Sequence, residues 1–137
     1  MLQPEYNLLD RAGFESTLRD LCIREDLGVI TYYSLASGFL SGKYRSADDL
    51  AKSARGSRVE KYLNPRGMQV LAALDAVAAE TGAKPAEIVL AWAIARPGVT
   101  ALIASATSVE QVDSLVRSVS LKLDAEQLRR LGEASQP

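Results

Sequence analysis

Val29-Ile30-Thr31-Tyr32-Tyr33-Ser34-Leu35-Ala36-Ser37-Gly38-Phe39-Leu40-Ser41-Gly42-Lys43-Tyr44 is the stretch on which the fold reading turns. Its first five residues are β-branched or aromatic, which suits a strand. They show no polar alternation, as expected of a parallel strand buried on both faces. Small residues and glycines follow at once, so the strand runs into a loop. In parallel α/β folds ligands gather at that end of the strands.

Working outward, two more segments read as strands. Residues 3–8 form a weaker one, and residues 99–104 (Val-Thr-Ala-Leu-Ile-Ala) again lack a polar face. Helical periodicity fills the intervals. Phe14, Leu18 and Cys22 mark one face of a helix over 14–26, with Gly28 as its stop. Met68, Leu71, Leu74, Val77 and Ala78 line a second, ending near Gly82. Pro85 suits the first turn of a third, with Ile88, Ala91, Trp92 and Ala95 on one face. Ser108-Val109-Glu110-Gln111 reads as a capping box before an apolar stripe of Val112, Leu115, Val116 and Val119. Asp124-Ala125-Glu126-Gln127 opens the last helix, with Leu128 and Leu131 inward. Strands alternating with helices predict an α/β fold with a parallel sheet. The connection over 34–65 is unusually long, rich in Gly, Ser, Lys and Arg, and such loops are often functional. Residues 46–50 within it suit a short helix.

Composition narrows the function classes. The 137 residues carry 16 basic and 17 acidic side chains, a net charge of −1, with no basic run. Such a balance has no electrostatic footprint for nucleic acid or a membrane surface. No apolar stretch is long enough to span a bilayer. The single cysteine, Cys22, cannot form an internal disulfide, and its spacing predicts a buried small hydrophobe. A reducing cytoplasm is the expected compartment. The absence of histidine excludes any imidazole mechanism within this chain. No carboxylate cluster has metal-ligand spacing.

Two loops are candidates for chemistry. In the first, Tyr32 offers a flat face for a ring, Ser37 a hydroxyl, and Gly42-Lys43 a close backbone approach with a cation suited to phosphate. Read blandly, the same residues are a packed aromatic, a turn and a solvated lysine. In the second, residues 104–111 join a strand end to a helix N-terminus, where unpaired N–H groups favour an anion. Read blandly, this is a helix cap worth about 1 kcal/mol. The residues alone leave both pairs of readings open.

Leu2-Gln3-Pro4-Glu5-Tyr6-Asn7-Leu8 followed by residues 30–44 resembles the aldo-keto reductase family. Ala91-Trp92, Arg96-Pro97-Gly98-Val99-Thr100, Ala106-Thr107-Ser108-Val109-Glu110-Gln111 and Leu121-Lys122-Leu123 continue the resemblance in order over essentially the whole chain. It implies a partial (β/α)8 TIM barrel. About three C-terminal βα units and a C-terminal helix would make residues 1–137 the C-terminal part of an aldo-keto reductase domain. A complete barrel needs eight strands and roughly 250 residues. Two copies of this chain would supply six strands.

The resemblance implies NADP as cofactor, with NAD also open. Gln3 would meet the nicotinamide carboxamide and Tyr32 would stack on its ring. Leu35, Ser37 and Lys43 would wrap the pyrophosphate, with Arg55 as an additional basic contact. Ser105, Thr107, Ser108 and Gln111 would hold the 2′-phosphate and adenine. Two departures bear on this. Ser105 brings a hydroxyl but no charge where many members carry glycine or lysine. Ser114 and Leu115 stand where many members carry glutamate and asparagine, and Leu115 cannot hydrogen-bond adenine.

The family works with an aspartate, a tyrosine, a lysine and a histidine on the earlier part of the barrel. No residue here takes those places, and no catalytic residue is assigned; Tyr33 has no lysine–aspartate pair beside it. The expected function is therefore a truncated or split NAD(P)H-dependent carbonyl oxidoreductase, inactive alone. Its expected partners are the cofactor and either a protein supplying the missing barrel half or a second copy. The alternatives are a non-catalytic nucleotide-binding module, a protein-interaction module, or a longer native protein in which Met1 is an internal start.

Overall fold

The computed structural model describes residues 1–137, the side chain of Lys52 excepted. Six α-helices and two short strands carry the fold: α1 Thr17–Arg24, β1 Ile30–Thr31, α2 Gly56–Val59, α3 Pro65–Thr81, α4 Pro85–Ile94, β2 Ala101–Leu102, α5 Val109–Ser120 and α6 Ala125–Ala134. Strands β1 and β2 pair in parallel, Ile30 opposite Ala101 and Thr31 opposite Leu102. The expected parallel sheet is present, with regular pairing shorter than the sequence predicts.

The expected strand over 3–8 is replaced by two isolated parallel bridges, Leu2 to Val29 and Glu5 to Tyr32. The chain there still runs beside β1. The Ile30 amide donates to the Leu2 carbonyl at 2.9 Å and the Tyr32 amide to the Pro4 carbonyl at 3.1 Å. Pro4 has no N–H of its own to extend a ladder. Beyond it the chain turns, because the Asn7 side chain accepts from the amides of Leu9 and Asp10.

Helix boundaries follow their chemistry. Asn64 caps α3 by accepting from the Gly67 amide at 2.8 Å, and Pro65 occupies its first turn. Gly82 ends α3 at φ 72°, a left-handed conformation that glycine adopts without a Cβ clash. Asp124 and Gln127 form a reciprocal capping box on α6. At α5 only half of the expected box forms. Ser108 accepts from the Gln111 amide, but the Gln111 side chain turns to the Thr107 amide at 2.6 Å instead. Helix α1 is shorter than the predicted 14–26, because residues 12–16 form turns. The expected short helix over 46–50 is a 3-10 segment, Ala47–Lys52.

The core lies between the strands and α3, α4 and α6. Its largest fully buried side chains include Trp92, Tyr6, Tyr44, Phe14 and Phe39. Tyr6 stacks on Trp92 at 5.6 Å and meets Phe14 edge-on at 5.2 Å. Cys22 is buried, as its spacing predicts. Leu131 is fully buried and Leu128 half-buried on α6.

Three burial expectations fail. Ala95 and Met68 are exposed rather than inward. Strand β2 is not covered on both faces: Ala101 and Ala104 are exposed, and Ile103 is 44% exposed. On α5 only Leu115 of the predicted stripe is half-buried, while Val112, Val116 and Val119 face solvent. Periodicity predicts which residues share a face, and here nothing among the described residues covers that face.

Candidate functional site

Strand β1 ends in a sharp corner. Tyr33 has φ 55°, and Ala36, Ser37 and Gly38 also adopt positive φ. Left-handed conformations at three non-glycine residues cost backbone energy and need support from their surroundings. Asn7 supplies it at Tyr33, donating its Nδ2 to the Tyr33 carbonyl at 3.0 Å. The corner presents two rings. Tyr32 and Tyr33 meet edge-to-face with centroids 5.0 Å apart. Tyr33 is half-exposed, while Tyr32 is partly covered.

The corner forms one wall of a cleft of about 390 Å³ at the C-terminal ends of β1 and β2. Ser34, Leu35, Ser37 and Gly38 continue that wall. Ile103, Ala104 and Ser105, leaving β2, form the second. The third carries Arg55 and Arg58. These arginines are held in place by the long loop. Tyr44, fully buried, hydrogen-bonds Ser53 through its hydroxyl, and Ser53 accepts from the Arg55 amide at 3.2 Å. Gly56 lets α2 press on the preceding segment: a Cβ there would lie 1.6 Å from the Leu50 carbonyl oxygen.

Ser34 is 3% exposed, lines the cleft, and its hydroxyl has no hydrogen-bond partner. An orphaned buried hydroxyl is costly unless a ligand or water meets it. Two tyrosine rings, an unsatisfied hydroxyl and two guanidinium groups suit a ligand that joins a flat ring to phosphate.

Of the expected site residues, the structure brings Tyr32, Leu35, Ser37, Arg55 and Ser105 together around this cleft. Lys43 stands behind it: its Cε would lie 3.5 Å from a Cβ on Gly38, and its Nζ lies 5.2 Å from the Tyr44 ring centroid. Gln3 is exposed on the segment beside β1, outside the lining. Thr107, Ser108 and Gln111 sit beyond the Ser105 wall, engaged with one another at the start of α5. The sequence reading assigned no cofactor role to Tyr33, Ser34 or Arg58. The Arg55-Gly56-Ser57-Arg58 pairing was a legible signal for the last. The burial of Ser34 and the turn at Tyr33 have no local signature.

Outside the cleft lining, a charged cluster gathers on Glu15. Glu15 accepts from the Tyr6 hydroxyl, from Arg11 Nη2 at 2.8 Å and from Arg96 Nη2 at 3.3 Å. Arg11 and Arg96 each lie 5.2 Å from the Trp92 ring. Burial pushes the Glu15 carboxyl up, but the Tyr6 and Arg11 hydrogen bonds and the arginine charges outweigh it, so the net shift is downward. Burial and the Glu15 carboxylate both push the Tyr6 phenol upward. Among the described residues no cluster of three metal-ligating side chains occurs, and no helix is long and apolar enough to cross a membrane.

Comparison with known proteins sets this geometry in a family. Residues 1–136 match the aldo/keto reductase family. The chain is 33% identical to an uncharacterized oxidoreductase, YrpG, of Bacillus subtilis, over 96% of this chain and 39% of that protein. It is 34% identical to a probable voltage-gated potassium channel subunit beta of Oryza sativa, over 80% of this chain and 35% of that one. It is 29% identical to the L-glyceraldehyde 3-phosphate reductase of Escherichia coli O157:H7, over 96% and 40%. The crystal structure of the thermostable aldo-keto reductase Tm1743, solved with the inhibitor epalrestat, superposes with a TM-score of 0.67 at 23% identity, covering 96% of this chain and 38% of that one. The chain thus spans about two fifths of the length of these proteins and has the fold of part of the barrel. It belongs to the aldo/keto reductase family.

Proposed function

We propose that this chain forms the cofactor-binding part of an NAD(P)H-dependent carbonyl oxidoreductase and is inactive alone. The observation that carries the reading is the cleft: the Tyr32–Tyr33 corner, the orphaned Ser34 hydroxyl and the Arg55–Arg58 pair converge at the ends of parallel strands. Tyr32 and Tyr33 hold and orient a nicotinamide ring, which supplies hydride when bound. Ser34 and Ser37 hydrogen-bond phosphate oxygens, and the two arginines balance their charge. Ser105, Thr107, Ser108 and Gln111 lie toward the adenosine end, and Gln3 toward the nicotinamide. NADP is favoured by the arginines; the uncharged Ser105 leaves NAD open.

Carbonyl reduction also needs a proton donor at the substrate oxygen. The chain has no histidine, and none of its tyrosines matches the family's proton donor. We therefore place the aspartate, tyrosine, lysine and histidine of the reaction on a barrel portion outside residues 1–137, this chain being the C-terminal portion.

Fluorescence titration with NADPH and NADH tests the reading. Saturable binding is expected, weakened about tenfold or more by Tyr32→Ala and by Arg58→Ala, with no aldehyde-dependent NADPH oxidation. Turnover by the purified chain that Tyr32→Ala abolishes would overturn the assigned inactivity. Absence of any nucleotide binding would favour the interaction module, a second reading to which the exposed valines of α5 lend support.

A further inference from the structure

A chain of hydrogen bonds runs behind the cleft from its arginine wall to its ring corner. The Tyr62 hydroxyl donates to Asp10 Oδ2 at 2.6 Å. The same carboxylate oxygen accepts from Asn7 Nδ2 at 3.2 Å, and that Nδ2 donates to the Tyr33 carbonyl at 3.0 Å. Asn7 and Tyr62 are buried, and neither they nor Asp10 line the cleft. Burial and the Asp10 carboxylate both push the Tyr62 phenol upward, so it stays protonated and donates.

The ends of this path belong to opposite walls. Tyr62 ends the arm that carries Arg55 and Arg58, because α2 runs directly into a 3-10 turn, Glu60–Tyr62. The arm's first end is pinned within its own loop, by Ser53 between Tyr44 and the Arg55 amide. Its second end crosses 52 residues of sequence to reach Asp10. At the far end of the path, Tyr33 holds a φ of 55°, which costs backbone energy and persists while its surroundings enforce it. The corner therefore has two arrangements, held and relaxed, and Tyr62 biases the balance between them through Asp10 and Asn7.

We propose that Tyr62 and Asp10 are positioning residues that couple the two halves of the cleft, so that phosphate on the arginine arm tightens the seat of the nicotinamide ring at the Tyr32–Tyr33 corner. The inference rests on the cofactor reading and adds a regulation of that site. Phosphate on Arg55 and Arg58 fixes the arm. A fixed arm keeps the Tyr62 hydroxyl on Asp10, and Asp10 keeps the Asn7 amide on Tyr33. A corner ordered in advance lowers the cost of seating the ring. By linkage the ring tightens the phosphate by the same factor.

The test splits the cofactor. Reduced nicotinamide riboside carries the ring without phosphate, and 2′,5′-ADP carries phosphate without the ring. Riboside binding to the full chain is followed by its fluorescence, with and without saturating 2′,5′-ADP. In the wild type 2′,5′-ADP should tighten the riboside about fivefold or more. Tyr62→Phe keeps a ring against Phe39, 5.5 Å between centroids, and removes the hydroxyl, so the enhancement should vanish. Asp10→Ala should abolish it as well. Asp10→Asn should retain it, because its side-chain carbonyl still accepts both bonds. The readout is the ratio of the two riboside affinities, which a general weakening of the fold does not move. A wild type that binds neither half overturns the cofactor reading and this inference with it. A wild type that binds both halves without enhancement, or an enhancement that survives Tyr62→Phe and Asp10→Ala, overturns the inference alone.

Discussion

The side-chain amide of Asn7 donates to the carbonyl of Tyr33 at 3.0 Å, across 26 residues of sequence. Asn7 is fully buried and its amide is used throughout: Nδ2 also donates to Asp10 Oδ2, and Oδ1 accepts from the amides of Leu9 and Asp10. One residue thus shapes its own turn and holds Tyr33 at φ 55°. Asn7→Ala leaves two backbone N–H groups without acceptors, at about 1–3 kcal/mol each. Chemical denaturation should show a loss of roughly 2–4 kcal/mol, and NADPH affinity should fall with it because Tyr33 relaxes out of the cleft wall.

Ser34 separates stability from binding. Its hydroxyl is buried without a partner, so Ser34→Ala removes an unsatisfied group at almost no cost in packing. The ligand-free chain should be unchanged or stabilised by up to about 1 kcal/mol. NADPH binding should weaken by about tenfold, as one hydrogen bond to a charged oxygen is lost. Thermal melts with and without NADPH read both effects.

Glu15 sets an acid limb on stability. Its carboxyl titrates below the ordinary value of 4.5, held there by Tyr6, Arg11 and Arg96 against the effect of burial. A carboxyl lowered by folding binds its proton more readily when unfolded, so its stabilisation is full above 4.5 and is lost as pH falls through the lowered folded value. Urea midpoints measured downward from pH 6 should fall in the wild type. In Glu15→Gln they should start lower and lose that part of the pH dependence.

Gly56 keeps the arginine wall in register. A Cβ at this position would meet the backbone of Leu50, which cannot yield as a side-chain tip would. Gly56→Ala should cost about 1–3 kcal/mol and displace Arg55 and Arg58. NADPH affinity should drop with little change in the circular dichroism of the larger helices.

Much of this layout is written in local sequence. Asn64-Pro65 and Gly82 bound α3, and Asp124 with Gln127 opens α6, because caps and turns involve residues a few positions apart. The strand–loop run from Val29 to Tyr44 places the corner of the cleft, and its family motif brings Tyr32, Leu35 and Ser37 to that wall. Arg58, three residues after Arg55, was legible as a second cation of the same loop; that both line the cleft was decided by the path of the loop in the fold. Ser34 was missed because its isolation depends on neighbours distant in sequence.

The sequence by itself determined the family, the order of strands and helices, and the chemistry available: aromatic rings, hydroxyls and arginines, without histidine. Tertiary structure decided which of these meet. It closed the cleft from three walls, locked Tyr33 through Asn7, and turned the polar side of α5 inward onto Glu87 while its valines remained exposed. Periodicity records that residues share a face. Whether that face is covered depends on which surfaces lie against it, and this chain holds only about two fifths of the length its relatives use.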